Sequence, residues 1–335
     1  MLPTTLQSLN QSLTPINRHT MNLFSKIAIT STILVACNSS DSTSKEQAKE
    51  DKSTEIAEIK AGDRQLNINI LWDLSDRIDP LRNPTSPQHY ERDIEAIKTI
   101  TSIFKKDMEK KGTYKAKGKI KIFFTPTPDN PKINTIAGNL FCDLSSYSGE
   151  GANKRKKEMY DSVESRFSKN TSEIYRLTIE SNKNKKQWDG SDVWRFFKND
   201  VKDYCVDPTG NYRNILVILT DGYIYHKDSR DKQGNRTAYI LPELLKPFRN
   251  NSNWLTTFTN GNYGLISTRK DLQNLDVLVL EITPSKEYKN DEDILKTYLG
   301  KWFEEMGITK SNYACYNSDL PEYTKKKIEN FLNRQ

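Results

Sequence analysis

The stretch Asn214–Asp221, NILVILTD, followed by Gly222, constrains the fold of this chain more than any other. Ile215 to Leu219 are five uninterrupted apolar residues, three of them β-branched. A run that short and that apolar predicts a strand buried on both faces, as in the middle of a parallel sheet. It stops abruptly at Thr220-Asp221-Gly222. A polar residue at the carboxyl end of a central strand stands at the rim where open α/β sheets place their ligands.

Four further segments read as strands: Leu66–Asp73 (LNINILWD), Lys119–Thr125 (KIKIFFT), Leu275–Ile282 (LDVLVLEI) and a short Tyr313–Tyr316. Asn139–Leu144 is a weaker candidate for an edge strand. Helical spacing of apolar residues predicts helices over Gln88–Glu109 and Lys154–Glu180, the second with a break near Asn170. A third carries Val193, Phe196, Phe197, Val201 and Tyr204 on its buried face. Asp291–Met306 is a fourth, ended by Gly307, and a last helix runs from Pro321 to Leu332. Residues 223–274 read as a long irregular insertion at the ligand-bearing rim, with a short helix near Pro242–Phe248. The expected fold is α/β: a doubly wound, mostly parallel, Rossmann-like sheet with helices on both faces.

The amino-terminal segment is of another kind. Met21–Cys37, MNLFSKIAITSTILVAC, has a basic Lys26, an apolar stretch Ile27–Val35 and a closing Leu34-Val35-Ala36-Cys37. That is the build of a secretory signal peptide, too short to span a bilayer as an ordinary helix. Residues 1–36 are read as this signal, with Met21 as the expected start. The final LVAC resembles a bacterial lipobox, which implies lipidation of Cys37, a palmitate-type anchor, and placement in the cell envelope. Asn38 resembles the residue following the cysteine in lipoproteins moved to the outer membrane. Residues 37–63 read as a lipidated terminus and flexible tether: Ser39–Lys60 is rich in Ser, Lys and Glu and has no aromatic residue. The formal net charge is +7, and +5 once Arg18 and Lys26 leave with the signal. The basic clusters Lys154–Lys157 and Lys183–Lys186 read as solvated helix ends, and an exported location argues against a nucleic-acid partner. Beside Cys37 the chain has Cys142, Cys205 and Cys315, which allow three single disulfide pairings; no CxxC is present to suggest a structural zinc site.

Three loops on the expected rim carry chemistry: Asp73-Leu74-Ser75, Gly190-Ser191-Asp192 and Thr220-Asp221-Gly222. Carboxylates and hydroxyls from separate loops form a hard oxygen set suited to Mg²⁺, Mn²⁺ or Ca²⁺. In order and spacing these loops resemble a von Willebrand factor type A (vWA) domain, over about residues 66–335. That family carries a metal-ion-dependent adhesion site at the top of a Rossmann-like sheet. Asp73 and Ser75 match the first two positions of its Asp-x-Ser-x-Ser motif, Ser191 its second-loop hydroxyl, and Asp221 its third motif. The resemblance implies a vWA-like domain over 64–335, with Ser75 and Ser191 as direct ligands. Asp73 and Asp221 would act directly or through water, and a partner's carboxylate would complete the sphere. Asp76, Arg77, Asp192 and Thr220 would modify the site. Arg77 departs from the motif: it stands where the third residue would be Ser, offers no lone pair, and is placed to substitute for the cation by pairing with Asp73 or Asp221.

Enzyme readings are weaker. The mature chain has only His89 and His226, and neither a Gly-x-Ser-x-Gly elbow nor a Walker A loop. His226 reads as a solvated loop residue. The expectation is a membrane-anchored lipoprotein, more binding module than enzyme, whose vWA-like domain holds a protein partner at Asp73, Ser75, Ser191 and Asp221 through a divalent cation. Two alternatives stay open: a metal-assisted hydrolase of phosphoesters, and a metal-free structural subunit of an envelope complex.

Overall fold

A computed structural model describes residues 63–334. The signal-like segment, Cys37 and the tether lie outside the described residues. In chain order the strands are β1 (Gln65–Trp72), β2 (Lys119–Phe124), β3 (Phe141–Asp143), β4 (Tyr212–Leu219), β5 (Lys232–Gln233), β6 (Arg236–Thr237), β7 (Gly264–Leu265), β8 (Leu275–Ile282) and β9 (Tyr313–Asn317). The helices are α1 (His89–Lys115), α2 (Pro131–Ala137), α3 (Ala152–Asp161), α4 (Val163–Asn182), α5 (Val193–Asn199), α6 (Val201–Cys205), α7 (Trp254–Asn260), α8 (Asp291–Glu305) and α9 (Pro321–Leu332).

The main sheet has the order β3-β2-β1-β4-β8-β9. All its pairings are parallel except that of β3 with β2. Helices cover both faces, so the chain is a doubly wound α/β fold of the Rossmann-like kind. Side-chain alternation sorts each central strand between two cores. Ile68, Ile70 and Trp72 of β1, Ile215, Val217 and Leu219 of β4, and Leu278 and Leu280 of β8 meet α1, α2, α3, α4 and α9. Leu71, Leu216, Ile218, Val277, Val279 and Ile282 meet α5, α6, α8 and the 223–274 segment. Asn67 and Asn69 would break this second core, but they satisfy each other and their neighbours. Asn67 donates to the Cys205 carbonyl (3.0 Å) and Asn214 Oδ1 (2.8 Å), and Asn69 donates to Asn67 Oδ1 (3.3 Å).

Several sequence expectations change. The break in the second long helix falls at Ser162, not Asn170. Val163, Phe167, Thr171 and Ile174 form one buried stripe through Asn170, and Thr171 returns its hydroxyl to the Phe167 carbonyl (2.8 Å). The helix expected to bury Tyr204 is two short ones, α5 and α6, and Tyr204 is 54 % exposed. Residues 223–274 are not wholly irregular. They hold β5, β6, β7 and α7, and their Ile224, Ile240, Leu245, Phe248, Phe258 and Leu265 complete the second core. Cys142, Cys205 and Cys315 are all free. Cys142 and Cys315 stand on opposite edge strands, and burial pushes each thiol up to about 12, so neither is a ready nucleophile. No helix among the described residues is long and apolar enough to cross a membrane.

Candidate functional site

β1 and β4 lie side by side at the centre of the sheet, and their following connections leave in opposite directions, to β2 and to β8. A doubly wound sheet opens its ligand crevice at that point, beyond the carboxyl ends of the strands. Asp73 and Thr220-Asp221 are the residues that emerge there. Asp73 extends the ladder one step, its N–H donating to the Leu219 carbonyl (3.2 Å), and Thr220 does the same with the Leu280 carbonyl (3.2 Å).

The side chains then bind to one another. Asp73, 1 % exposed, accepts the Ser75 N–H on Oδ1 (2.8 Å) and the Thr220 hydroxyl on Oδ2 (2.9 Å). Thr220 thus ties the first loop to the third. Asp221 is half-buried; its Oδ1 accepts the Tyr223 N–H (2.9 Å), and no donor among the described residues reaches its second oxygen. Burial first, and then the Asp73 charge, push the Asp221 carboxyl up to about 7. Asp221 opens onto a cavity of about 550 Å³ that is also lined by His89, Asn83, Tyr223 and Arg249.

Ser191 reaches the same rim by a different route. The Asp192 N–H donates to the Thr125 carbonyl at the end of β2 (3.1 Å), and Ser191 bridges to Tyr225 beyond β4. Gly190 makes this approach possible: a Cβ there would lie 1.9 Å from the Tyr225 carbonyl oxygen. The Ser191 hydroxyl is buried, has no hydrogen-bond partner among the described residues, and makes no bond to Asp73 or Asp221. An orphaned hydroxyl costs stability and suits a ligand position. Ser191→Ala is therefore expected to change stability by less than about 1 kcal/mol, or to raise it slightly. The same variant is expected to lose divalent-ion affinity if the hydroxyl is a ligand. Urea unfolding and calorimetry of one preparation check both, and a loss above about 2 kcal/mol would give Ser191 a structural role instead.

The Asp192 carboxylate is engaged with partners other than Asp73 and Asp221. It caps α5 through the Arg195 N–H (3.2 Å) and accepts the Ser229 hydroxyl (2.9 Å), with the Arg195 guanidinium at 3.1 Å and His226 Nδ1 at 3.4 Å. His226 is correspondingly buried, 7 % exposed, not a solvated loop residue. Asp76 stays exposed and faces Arg82 at 3.5 Å.

Arg77 stands beside Asp73, not Asp221, and has a closer carboxylate in Asp93. It turns inward, 3 % exposed, and its Nη2 donates to Asp93 of α1 and to the Leu219 carbonyl (3.2 Å). Its Nε donates to the Asp73 carbonyl (3.1 Å) and stands 3.8 Å from Asp73 Oδ2, and Asp221 is not among its partners. Tyr175 donates its hydroxyl to the same Asp93 oxygen and receives the Trp72 indole N–H. A second buried pair lies beside the first: Arg92 Nε donates to Glu281 Oε2 (2.8 Å). Glu281 has φ of 72°, at an irregularity in the β8–β9 pairing. A left-handed glutamate inside a strand is strained, and here it accompanies a carboxylate that meets α1. His89 accepts Arg92 Nη2 on Nδ1 (2.9 Å), and burial, then Arg77 and Arg92, push it down to about 4. It is neutral near pH 7, with its acceptor nitrogen engaged.

Sequence reasoning missed this network, although two signals mark it. Glu281 ends the apolar run Val277–Leu280, and Asp93 lies four residues before Ile97 on the buried stripe of α1.

No family model matches the chain, and no curated protein matches it. Among solved structures, it is similar to the pilus adhesin SpaC from Lactobacillus rhamnosus GG at 10 % identity and a TM-score of 0.36. That alignment covers 80 % of this chain and 30 % of the adhesin.

Proposed function

We propose that this chain is a lipid-anchored envelope protein whose vWA-like domain binds a protein partner at the rim formed by Asp73, Ser75, Ser191 and Asp221. The observation that carries this reading is the meeting of Asp73, Thr220 and Asp221 at the β1–β4 switch point, with one Asp221 oxygen free of donors among the described residues. The donor set fits a hard cation such as Mg²⁺: two carboxylates and two hydroxyls, one of the hydroxyls buried and unpartnered. Arg77 lines the same cavity as Asp221, but its Nη2 is engaged by Asp93 and the Leu219 carbonyl and not by Asp221. A bound cation would supply positive charge for a partner's Asp or Glu. The chain's own residues orient that encounter: Thr220 and the Ser75 N–H fix Asp73, and the Tyr223 N–H fixes one edge of Asp221.

The test is calorimetric titration of residues 57–335 with Mg²⁺, Mn²⁺ and Ca²⁺, beside Asp221→Ala. Saturable binding lost in the variant is expected. A well-folded wild type that binds none of the three ions overturns the cation route.

The metal-free structural reading has one observation of its own: the Arg77 guanidinium already sits 3.8 Å from Asp73 and contributes charge there. Arg77→Ser alone is a poor discriminator, because it strands Asp93. The double variant Arg77→Ser/Asp93→Asn asks the question cleanly. Under the metal-free reading it gains ion affinity that the wild type lacks. For the hydrolase reading, His89 is engaged as an acceptor from Arg92 and offers no free base in the cavity beside Asp221, which leaves Asp221 itself as the group to test by phosphoester turnover.

A further inference from the structure

The basic run Lys154–Lys157 departs from the solvated helix end that its sequence predicts. Lys154, Arg155 and Lys157 are exposed, but Lys156 is 5 % exposed. Its ammonium crosses to the end of α1 and donates to the carbonyl oxygens of Ala116 (3.1 Å) and Tyr114 (3.5 Å). A lysine ammonium has three donors, so one remains. Burial, then the charge of Lys117, hold Lys156 below the ordinary lysine range. Neighbouring lysines have carboxylate partners: Lys111 has Asp107 (2.5 Å), Lys119 has Asp207 (3.0 Å) and Lys157 has Asp161 (2.6 Å). Among the described residues Lys115, Lys117 and Lys156 have none.

These three line one cavity of about 860 Å³ at the amino end of the sheet, remote from Asp221. Tyr147 and Tyr212 share its wall, and the Tyr212 hydroxyl donates to the Lys117 carbonyl (3.1 Å), which fixes the segment bearing two of the lysines. Its carboxylates are Asp63 and Asp207. Despite burial, bonds from Thr209 and Lys119 hold Asp207 below the usual carboxylate range, so its charge is already matched. A concave site lined by three lysines that have no carboxylate partner among the described residues, against one unmatched carboxylate, concentrates anions. Lysine meets phosphate as a point charge on a movable stem, and needs no planar match.

We propose that this cavity is an oxyanion site that takes a phosphate group, free or as the headgroup of an anionic lipid, between Lys115, Lys117 and Lys156. The full chain is titrated calorimetrically with sodium phosphate, and its sedimentation is followed with phosphatidylglycerol and phosphatidylcholine vesicles. The variants are Lys115→Gln/Lys117→Gln, whose side chains are exposed, and Lys157→Gln, on α3 but outside the cavity. Saturable phosphate binding is expected, weakened about tenfold or more in the double variant and changed less than about twofold in Lys157→Gln. If phosphate does not bind but phosphatidylglycerol vesicles hold the wild type more than the double variant, the site takes a lipid headgroup. Equal losses in Lys157→Gln and the double variant would mean diffuse charge and would overturn the proposal. So would absence of phosphate binding with equal vesicle binding by wild type and double variant.

Discussion

Asp93→Ala is expected to lower the stability of the folded unit by ~3–5 kcal/mol, the cost of leaving a buried charge without its partner. The Arg77 guanidinium is almost wholly enclosed, with Asp93 and the Leu219 carbonyl as Nη2 acceptors. Without Asp93 the nearest remaining carboxylate oxygen is Asp73 Oδ2 at 3.8 Å, already held by Thr220. The Tyr175 hydroxyl loses its acceptor in the same step, and the Trp72–Tyr175 contact beneath the rim loses its anchor. For a unit of this size each kcal/mol moves the melting temperature by roughly 2–4 °C, so a drop of about 10 °C is expected. Removing both charges at once separates pairing from packing: Arg77→Met/Asp93→Leu is expected to recover most of the loss, since a buried pair contributes little beyond well-packed apolar residues. Urea unfolding of the wild type and both variants measures this. A single variant within about 1 kcal/mol of wild type would mean that the guanidinium finds water when Asp93 is gone.

The same network explains what was legible in the sequence. The central strands were, because a residue buried on both faces must be apolar and β-branched types favour strands. Ile215–Leu219 and Leu275–Leu280 announce themselves that way. Asp73 and Asp221 were legible as rim residues because each ends such a run. The direction of Arg77 was not. Its loop places it beside two candidate partners, Asp73 and Asp221, and only the packing of α1 across the sheet supplies the third, Asp93, sixteen residues on. Position alone therefore pointed to Asp73 or Asp221, whereas the closer carboxylate is Asp93. The partners of Asp192 were not legible for a related reason. Its sequence neighbour is Ser191, but its carboxylate partners are Ser229 and Arg195, which arrive with a segment that sequence reasoning left irregular. That segment's apolar residues come in short clusters, such as Ala238–Leu241, Leu244-Leu245 and Leu265-Ile266, separated by polar stretches. They follow no period of two or 3.6, because they fill gaps over a sheet face rather than line a regular element. The helix α2 was missed although Asn130-Pro131 is a cap followed by a first-turn proline; the Asn130 side chain accepts the Lys132 N–H (3.0 Å).

The second large effect is one of pH and lies in Asp221. Its carboxyl has an ordinary value of 3.8 and is pushed up to about 7 in the folded chain, by burial first and by Asp73 second. Below about pH 4 the folded and unfolded chains both hold the proton, and the group's contribution is fully present. Between about pH 4 and 7 the unfolded chain has released the proton and the folded chain has not, so stability falls as the pH rises. The difference corresponds to at most ~4 kcal/mol, lost in full above pH 7. Asp221→Asn has no proton to lose. The variant is expected to be more stable than wild type at pH 8, with the advantage shrinking toward pH 4, as read from urea midpoints across that range. Comparing the two chains at each pH cancels the titrating groups that do not interact with Asp221. A divalent ion bound at the proposed site would compete with the proton for the same oxygens. Saturating Mg²⁺ should then stabilise wild type at pH 8, do much less at pH 5, and leave Asp221→Asn unchanged. Parallel pH curves for the two chains would mean that Asp221 titrates as an ordinary carboxylate. A pH-dependent gap that Mg²⁺ does not close would leave the raised carboxyl in place and remove the cation. Recognition at this rim would then rest on the protein's own donors, with Asp221 the group that a partner must protonate or pair.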